Sequence, residues 1–259
     1  VNLDAAPGFT AVAPVSAGGV GVFSGAFPDA LVRTDANNLA PRIGAAWRVA
    51  ARTTARLGYG VSFNTGGYST IARQLASQPP FAVTNTSIGS VTDPLSLTSS
   101  LTGSASSTGN TFGVARDYDA GVVRTWTLDL SRDMGDAWNV SGGITRAAGT
   151  HLDILRAPNR GPDGLRLANV QPFLWQTSEG RSRLNAANLR IRRWYVRGFS
   201  TSMNYTFADS MDNASTIGGG ATVVAQDEQN LAAEWGTSSF NRRHQLSGDL
   251  NFELPFGDN

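Results

Sequence analysis

With 259 residues, the chain is long enough to bury a sizeable core. Charged residues make up only 16% of it, the net charge is +1 and every basic residue is an arginine, so no general electrostatic pull on nucleic acid is present. Cysteine is absent, which excludes a disulfide framework, and no run of about 18 apolar residues exists to cross a membrane as a helix.

Residues 1–41 contain no clear strand, and the stretch GGVGVFSGAF is too glycine-rich to read as one. Alternation begins at 42–49, where Ile43, Ala45, Trp47 and Val49 oppose Arg42, Gly44, Ala46 and Arg48. A period of two makes a β-strand with one apolar and one polar face. After the short link AART, a second run at 54–63 sets Ala55, Leu57, Tyr59, Val61 and Phe63 against Thr54, Arg56, Gly58, Gly60 and Ser62. Segment 64–120 is long and rich in Ser, Thr, Gly and Pro, and reads as a loop. Within it, RDYDAG (116–121) spaces two carboxylates as calcium loops do but lacks the remaining ligands.

A third strand is predicted at 122–131, with Val122, Trp126, Leu128 and Leu130 on one side and Arg124 interrupting that side. The short RDMGDA leads to a fourth at 138–146, where Trp138, Val140, Gly142 and Ile144 alternate with polar or small residues. Residues 147–184 form a second long loop, with His151 near its start. The fifth strand, 185–195, sets Ala187, Leu189, Ile191 and Tyr195 against Asn188, Arg190, Arg192 and Trp194, with Arg193 as an exception. Its end, RIRRWYVR (190–197), mixes bases and aromatics as single-strand nucleic-acid binders do, but the alternation places it at a strand end. VRG is again short. GFSTSMNYTFADSMDNAS (198–215) is a sixth strand, with Phe199, Thr201, Met203, Tyr205 and Phe207 on its apolar side. In the third long loop, 209–242, IGGGA (217–221) reads as a flexible connector and QDEQNLAAEW (226–235) as a short helix. The last strand, 245–254, sets Leu246, Gly248, Leu250, Phe252 and Leu254 against Gln245, Ser247, Asp249, Asn251 and Glu253.

Short and long connections therefore alternate. Up-and-down strands put all the short turns at one end and all the long loops at the other, the asymmetry of outer-membrane barrels. The expected fold is all-β: an antiparallel up-and-down transmembrane β-barrel segment of about seven strands, with long extracellular loops. Residues 1–41 are its loop region, and 42–259 its strands, short turns and long loops. The polar side, with Arg42, Arg48, Arg56, Asp129, Arg190, Arg192, Asp249 and Glu253, would line a lumen. Trp47, Trp138, Tyr195 and Phe199 beside the short turns, and Phe63, Tyr205 and Phe207 toward the long loops, would form aromatic girdles at the two lipid interfaces. Single-chain bacterial barrels have even strand numbers, and lipid does not tolerate open sheet edges. Seven strands are thus expected to be part of a larger barrel.

Several stretches carry a resemblance in a fixed order. They are NNLAPRIGAAWRV (37–49), TTARLGYGVSFN (53–64), QLASQPPFAVT (74–84), RTWTLDLSRDMGDAWNVSGGITRAAGTHL (124–152), GFSTSMNYTFADSMDNAS and QDEQNLAAEWGTSSFNRRHQLSGDLNFELPFG (226–257). Together they resemble Oar-like TonB-dependent receptors, especially those of acidobacteria. The resemblance implies the C-terminal part of a plugged 22-stranded outer-membrane barrel that binds a scarce solute and imports it with energy passed on by TonB. The family's plug domain, TonB box and closing strand have no counterpart in these residues. The implied partners are outer-membrane lipid, a small solute, and the TonB complex through parts absent from this chain, with no nucleic acid. The alternative is a non-transporting surface protein or adhesin that binds partners through its loops. No G-x-S-x-G, H-E-x-x-H or Walker pattern occurs, so no catalytic residue, metal ligand or cofactor is expected.

Overall fold

The structure is a computed structural model that describes residues 1–82, 84–86, 92, 96, 106–214 and 225–254. Seven long strands form its main sheet: β1 (Arg42–Ala50), β2 (Thr53–Asn64), β3 (Gly121–Met134), β4 (Trp138–Arg156), β5 (Leu174–Val196), β6 (Phe199–Asp212) and β7 (His244–Phe252). Each pairs antiparallel with its successor, so these seven form a meander without crossovers, and two short strands join the same sheet, Phe112–Val114 parallel to the start of β5 and Gly236–Thr237 antiparallel to the end of β6. Among the described residues β1 pairs only with β2 and β7 only with β6. The sheet is therefore open at both edges.

The tight turns lie at one end. Ala51–Arg52 joins β1 to β2, Gly135–Ala137 joins β3 to β4, and Arg197–Gly198 joins β5 to β6. The last has positive φ at both central residues, +54° at Arg197 and +72° at Gly198. That is the type I′ geometry whose twist matches the flanking strands, and it needs glycine at the second position.

The connections at the other end fold into a cap. β4 and β5 run 19 and 23 residues, about twice the 9–11 that a tilted strand needs to cross a membrane. Most of segment 147–184, expected as a loop, is therefore a continued β-ladder. Its sequence hides this, because an extension packed against cap loops no longer has one apolar and one polar side. The passage into the cap is marked by irregular pairing between Gly149 and Ile154, with His151 at φ +55°. Gly180 sits opposite this bulge, where a Cβ would meet the Leu152 carbonyl oxygen at 2.6 Å. Any side chain there would force the two strands apart.

The first long connection also holds order that its composition concealed. An α-helix, α1 (Gly66–Ala76), buries Ile71 and Leu75 and packs Tyr68 beside them. These residues have the i, i+3, i+7 spacing of one helix face, a signal masked by the surrounding Ser, Thr and Gly. They join Leu31, Val32, Phe112, Val114, Tyr118 and Leu155 in one apolar core. Leu3, Phe173 and Trp175 form a second, with Phe9 edge-on to Trp175 at 5.6 Å. Residues 1–41 thus stay off the main sheet. Their short pairings, Asn2–Ala5 with Val12–Val15 and Val20–Gly21 with Gly25–Ala26, belong to the cap.

Two buried amides hold the cap segments together by acting as surrogate backbone. Asn2 accepts from Val114 N and donates to Val114 O, both at 2.9 Å. Gln78 accepts from Thr111 N at 3.2 Å and Phe112 N at 3.1 Å, and donates to Phe112 O at 2.9 Å. Gln78→Ala would leave those buried backbone groups unpaired, at a cost of about 1–3 kcal/mol. The expected result is faster amide exchange at 111–114 and unchanged exchange in β1–β3.

RDYDAG anchors the cap through Tyr118, which is 1% exposed. Its hydroxyl donates to the Asp153 carboxylate. Burial first, and then that carboxylate, push the phenol above its ordinary range. Residues 226–235, expected as a helix, are a chain of turns. Asp227 accepts from Gln229 N at 2.9 Å, and Asp227 N donates to Glu234 at 2.8 Å. These local side-chain bonds compete with a helical ladder. The IGGGA connector lies outside the described residues.

Candidate functional site

The strand registers sort the side chains onto two faces without ambiguity. On one face Ala45, Leu57, Leu128, Ile144, Ala187, Phe207 and His244 stand in a continuous row across all seven strands. The next row holds Trp47, Ala55, Leu130, Gly142, Leu189, Tyr205 and Leu246. These side chains have no layer over them: Ile43, Trp47, Leu246 and Leu250 are 67–69% exposed. An apolar surface this wide is not left to water by a soluble protein.

The opposite face carries the polar ladder. Arg56 and Asp129 pair across β2 and β3 at 3.9 Å, with both side chains largely exposed. Asn139 donates to Asp133 at 2.7 Å and to Ser131 at 3.1 Å. Arg190 Nε donates to Asn204 Oδ1 at 2.6 Å, and the Arg192 guanidinium stacks 3.7 Å above the Trp194 ring. Near the short-turn end Arg190, Arg192, Trp194 and Asn204 line an open hollow of about 460 Å³, together with Ser202, Asp249 and Asn251. The hollow offers guanidinium, amide, hydroxyl and carboxylate groups with an indole beside them, which suits hydrogen bonding to a polar solute.

Arg42, Arg48, Arg56, Asp129, Arg190, Arg192 and Asp249 all take this polar face by register. Glu253 lies just past β7, its amide donating to Gly198 O at 2.7 Å. Trp47, Phe63, Trp138, Phe199, Tyr205 and Phe207 share the apolar face. Tyr195 does not. A bulge between Arg193 and Val196 adds a residue to β5 and reverses the alternation there. Tyr195 consequently joins Trp194 in lining the polar hollow, and its hydroxyl donates to Glu253. Period-two counting passes through a bulge blindly, so Tyr195 is corrected to the polar side. Arg193, just before the bulge, keeps the apolar face by ordinary alternation, where it donates to Phe199 O and lies 4.7 Å from that ring and 5.9 Å from Trp138.

Other features of the two faces emerge only from pairing. Tyr59 and Trp126 meet at 5.4 Å and extend the aromatics at the cap end of the apolar face. His244 belongs to that group as well: it lies 5.3 Å from Phe207, and its Nδ1 is 2.8 Å from the Tyr205 hydroxyl. His151 sits in the bulged stretch of β4.

Above the sheet, the last long connection is clamped by one arginine. Arg156, at the end of β4, bonds Glu228 through Nε and Glu179 through Nη1 at 2.5 Å, and donates to the Glu228 carbonyl at 3.1 Å. The Phe9 ring lies 5.2 Å from its guanidinium. Glu228 is 7% exposed. Burial raises its carboxyl above the ordinary value, more than Arg156 lowers it. Among the described residues no group of three or more His, Asp or Glu is placed to hold a metal ion.

No curated protein matches the sequence. The crystal structure of the outer membrane transporter YddB from Escherichia coli is similar in fold, with a TM-score of 0.50 at 9% identity over 81% of this chain. The match covers 26% of that transporter, so this chain spans about a quarter of its length. A family described as outer membrane beta barrel domain matches residues 1–259, and with the meander, its one-ended tight turns and its uncovered apolar face, the chain belongs to that family and to the outer membrane.

Proposed function

We propose that the chain is part of the wall of a larger, TonB-dependent receptor barrel that binds a small solute outside the cell and takes part in its uptake. Further strands would complete the edges at β1 and β7. The apolar face meets outer-membrane lipid, with Trp47, Phe63, Trp138, Phe199, Tyr205 and Phe207 toward its interfaces. The polar face, with Arg42, Arg48, Arg56, Asp129, Arg190, Arg192 and Asp249, lines the lumen.

One observation carries this reading. An uncovered apolar face and a charged, hydrogen-bonded face back onto each other across a meander whose long connections all gather at one end. The dimensions agree. On β3, Arg124 and Arg132 bracket the apolar stretch Trp126–Leu130. At about 3.4 Å per residue they are about 27 Å apart. A tilt of about 40° reduces this to about 20 Å of depth, near the roughly 25 Å apolar band of such barrels.

The test uses the complete gene. Cells lacking it are compared with cells lacking TonB for uptake of sugars, peptides, siderophores and cobalamin. The expected result is one solute whose uptake needs both. Arg190→Gln combined with Arg192→Gln should weaken capture of that solute about tenfold, as loss of one charge-assisted hydrogen bond does, with the protein still in the outer membrane. If no solute depends on both genes and surface attachment is lost instead, the protein is an adhesin.

A further inference from the structure

Three arginines break the apolar face just below the cap. Arg124 on β3 stands opposite Ala148 on β4, and Ala148 stands opposite Arg183 on β5. Arg146 lies two residues along β4, paired to Trp126 and Asn185. Alternation puts all three on one face. With strands about 4.8 Å apart, the Cα atoms of Arg124 and Arg183 are about 10 Å apart. Arg146 is the diagonal neighbour of each, at about 7–8 Å. The three enclose the methyl side chain of Ala148, which leaves the middle of the triangle open.

Little in the protein satisfies these guanidiniums. Arg124 donates weakly to Thr150 Oγ1 at 3.4 Å, and Arg183 Nη2 contacts Met211 Sδ at 3.1 Å. The Nε of Arg183 is buried and has no hydrogen-bond partner. Among the described residues none of the three pairs with a carboxylate. Asp209, in the same row as Arg146, is taken by Arg243 at 3.5 Å. Three like charges on neighbouring strands repel one another, and an anion between them would relieve that repulsion.

Two depressions adjoin the triangle. Below it, a groove of about 840 Å³ is lined by Ile43, Ala45, Leu57, Trp126, Ala187 and Phe207 and reaches Arg146. Above it, a more polar hollow of about 880 Å³ is shared by Arg124, Thr150, Arg181, Asn213 and Glu179, whose carboxylate is paired to Arg156, with Trp235 of the last long connection at its wall. Apolar groove, arginine triangle and polar hollow follow each other from the apolar band toward the cap.

We propose that this surface binds a phosphorylated, acylated glycolipid of the outer leaflet. The acyl chains lie in the groove, a phosphate sits on Arg124, Arg146 and Arg183, and the sugar reaches the upper hollow. Guanidinium forks match phosphate oxygens in pairs. A free phosphate has no use for the groove, and an uncharged lipid leaves the arginines unpaired. The inference rests on the reading that the apolar face meets lipid with the cap outermost.

The complete protein in detergent micelles is titrated with a bis-phosphorylated, hexa-acylated glucosamine disaccharide, its dephosphorylated counterpart and inorganic phosphate, read by native mass spectrometry. One phosphorylated lipid per protein is expected. The triple variant Arg124→Gln, Arg146→Gln, Arg183→Gln should weaken it about 100-fold, from the known strength of basic residues on anionic membranes. The dephosphorylated lipid should bind the unaltered protein just as weakly, and inorganic phosphate should not compete. Ala187→Trp, which fills the groove, should also weaken the phosphorylated lipid. Folding of each variant is checked by its gel mobility before and after heating. If the triple variant misfolds, Arg146→Gln alone, at an exposed position, should still lower binding about fivefold. Equal retention by a folded arginine variant, equal binding of the dephosphorylated lipid, or competition by inorganic phosphate would overturn the site. Labelling of Asp163→Cys on intact cells reports separately on whether the cap faces outward. Failure there overturns the orientation, while the titration still reports on the site.

Discussion

Leu128→Arg is expected to lower the stability of the complete protein in a bilayer by about 2–4 kcal/mol, the penalty for a charge near the midplane of a barrel's outer face. Leu128 lies midway between Arg124 and Arg132 and is flanked by Leu57 and Ile144. Its own side chain is 42% exposed and Ile144 is 57% exposed, so a guanidinium there would meet the surrounding medium and not a protein core. Arg124 and Arg132 can send their heads to the interfaces; a head starting at Leu128 has the farthest to travel. Asn188→Arg, on the opposite face of β5, should change stability by no more than about 0.5 kcal/mol, as exposed substitutions do. Denaturant-dependent folding into lipid vesicles measures both. Equal costs would show that the two faces see the same solvent, and the division into lipid and lumen would fall.

Arg156→Ala is expected to release the connection that carries Glu228, at a local cost of about 3–5 kcal/mol, because removing one partner leaves a buried carboxylate uncompensated. Arg156 serves Glu228, Glu179 and the Phe9 ring together. The loss should therefore appear as fast amide exchange and protease cleavage in 225–238, with the β1–β3 ladder unaffected. The direction of the Glu228 shift adds a pH dependence. Its carboxyl is raised in the docked state, mainly by burial. Docking is then fully favoured below the ordinary carboxylate range and loses stability as pH rises through the raised value. Protection of 225–238 should fall from acid to neutral pH in the unaltered protein. Glu228→Gln, which cannot ionise, should abolish that slope.

How much of this was legible in the sequence depends on which solvent each segment meets. Within the membrane span, every strand has one side against apolar surroundings and one against polar ones, and composition follows the pleat. The seven long strands and the face of nearly every named side chain could be read from period two, and their order from the alternation of short and long connections. Tyr195 was misread because a bulge shifts the count by one, and a bulge leaves no mark in an alternating pattern. The cap was illegible for the converse reason. There the β4–β5 ladder runs on between loops, α1 buries Ile71 and Leu75 under Phe112 and Tyr118, and Asn2 and Gln78 replace backbone partners. Those interactions join residues dozens of positions apart.

The arginine triangle shows the division most sharply. Arg124, Arg146 and Arg183 are separated by tens of residues, and singly each looks like an exception to a pattern or a loop residue. Strand register brings them around Ala148. The sequence by itself determined that this chain makes strands with two unlike faces and long connections at one end, because alternation follows from local backbone geometry and the solvent on either side. Only the tertiary structure decided which side chains meet across strands and how the connections become a cap, because register, bulges and long-range packing depend on pairs of segments that no local pattern encodes.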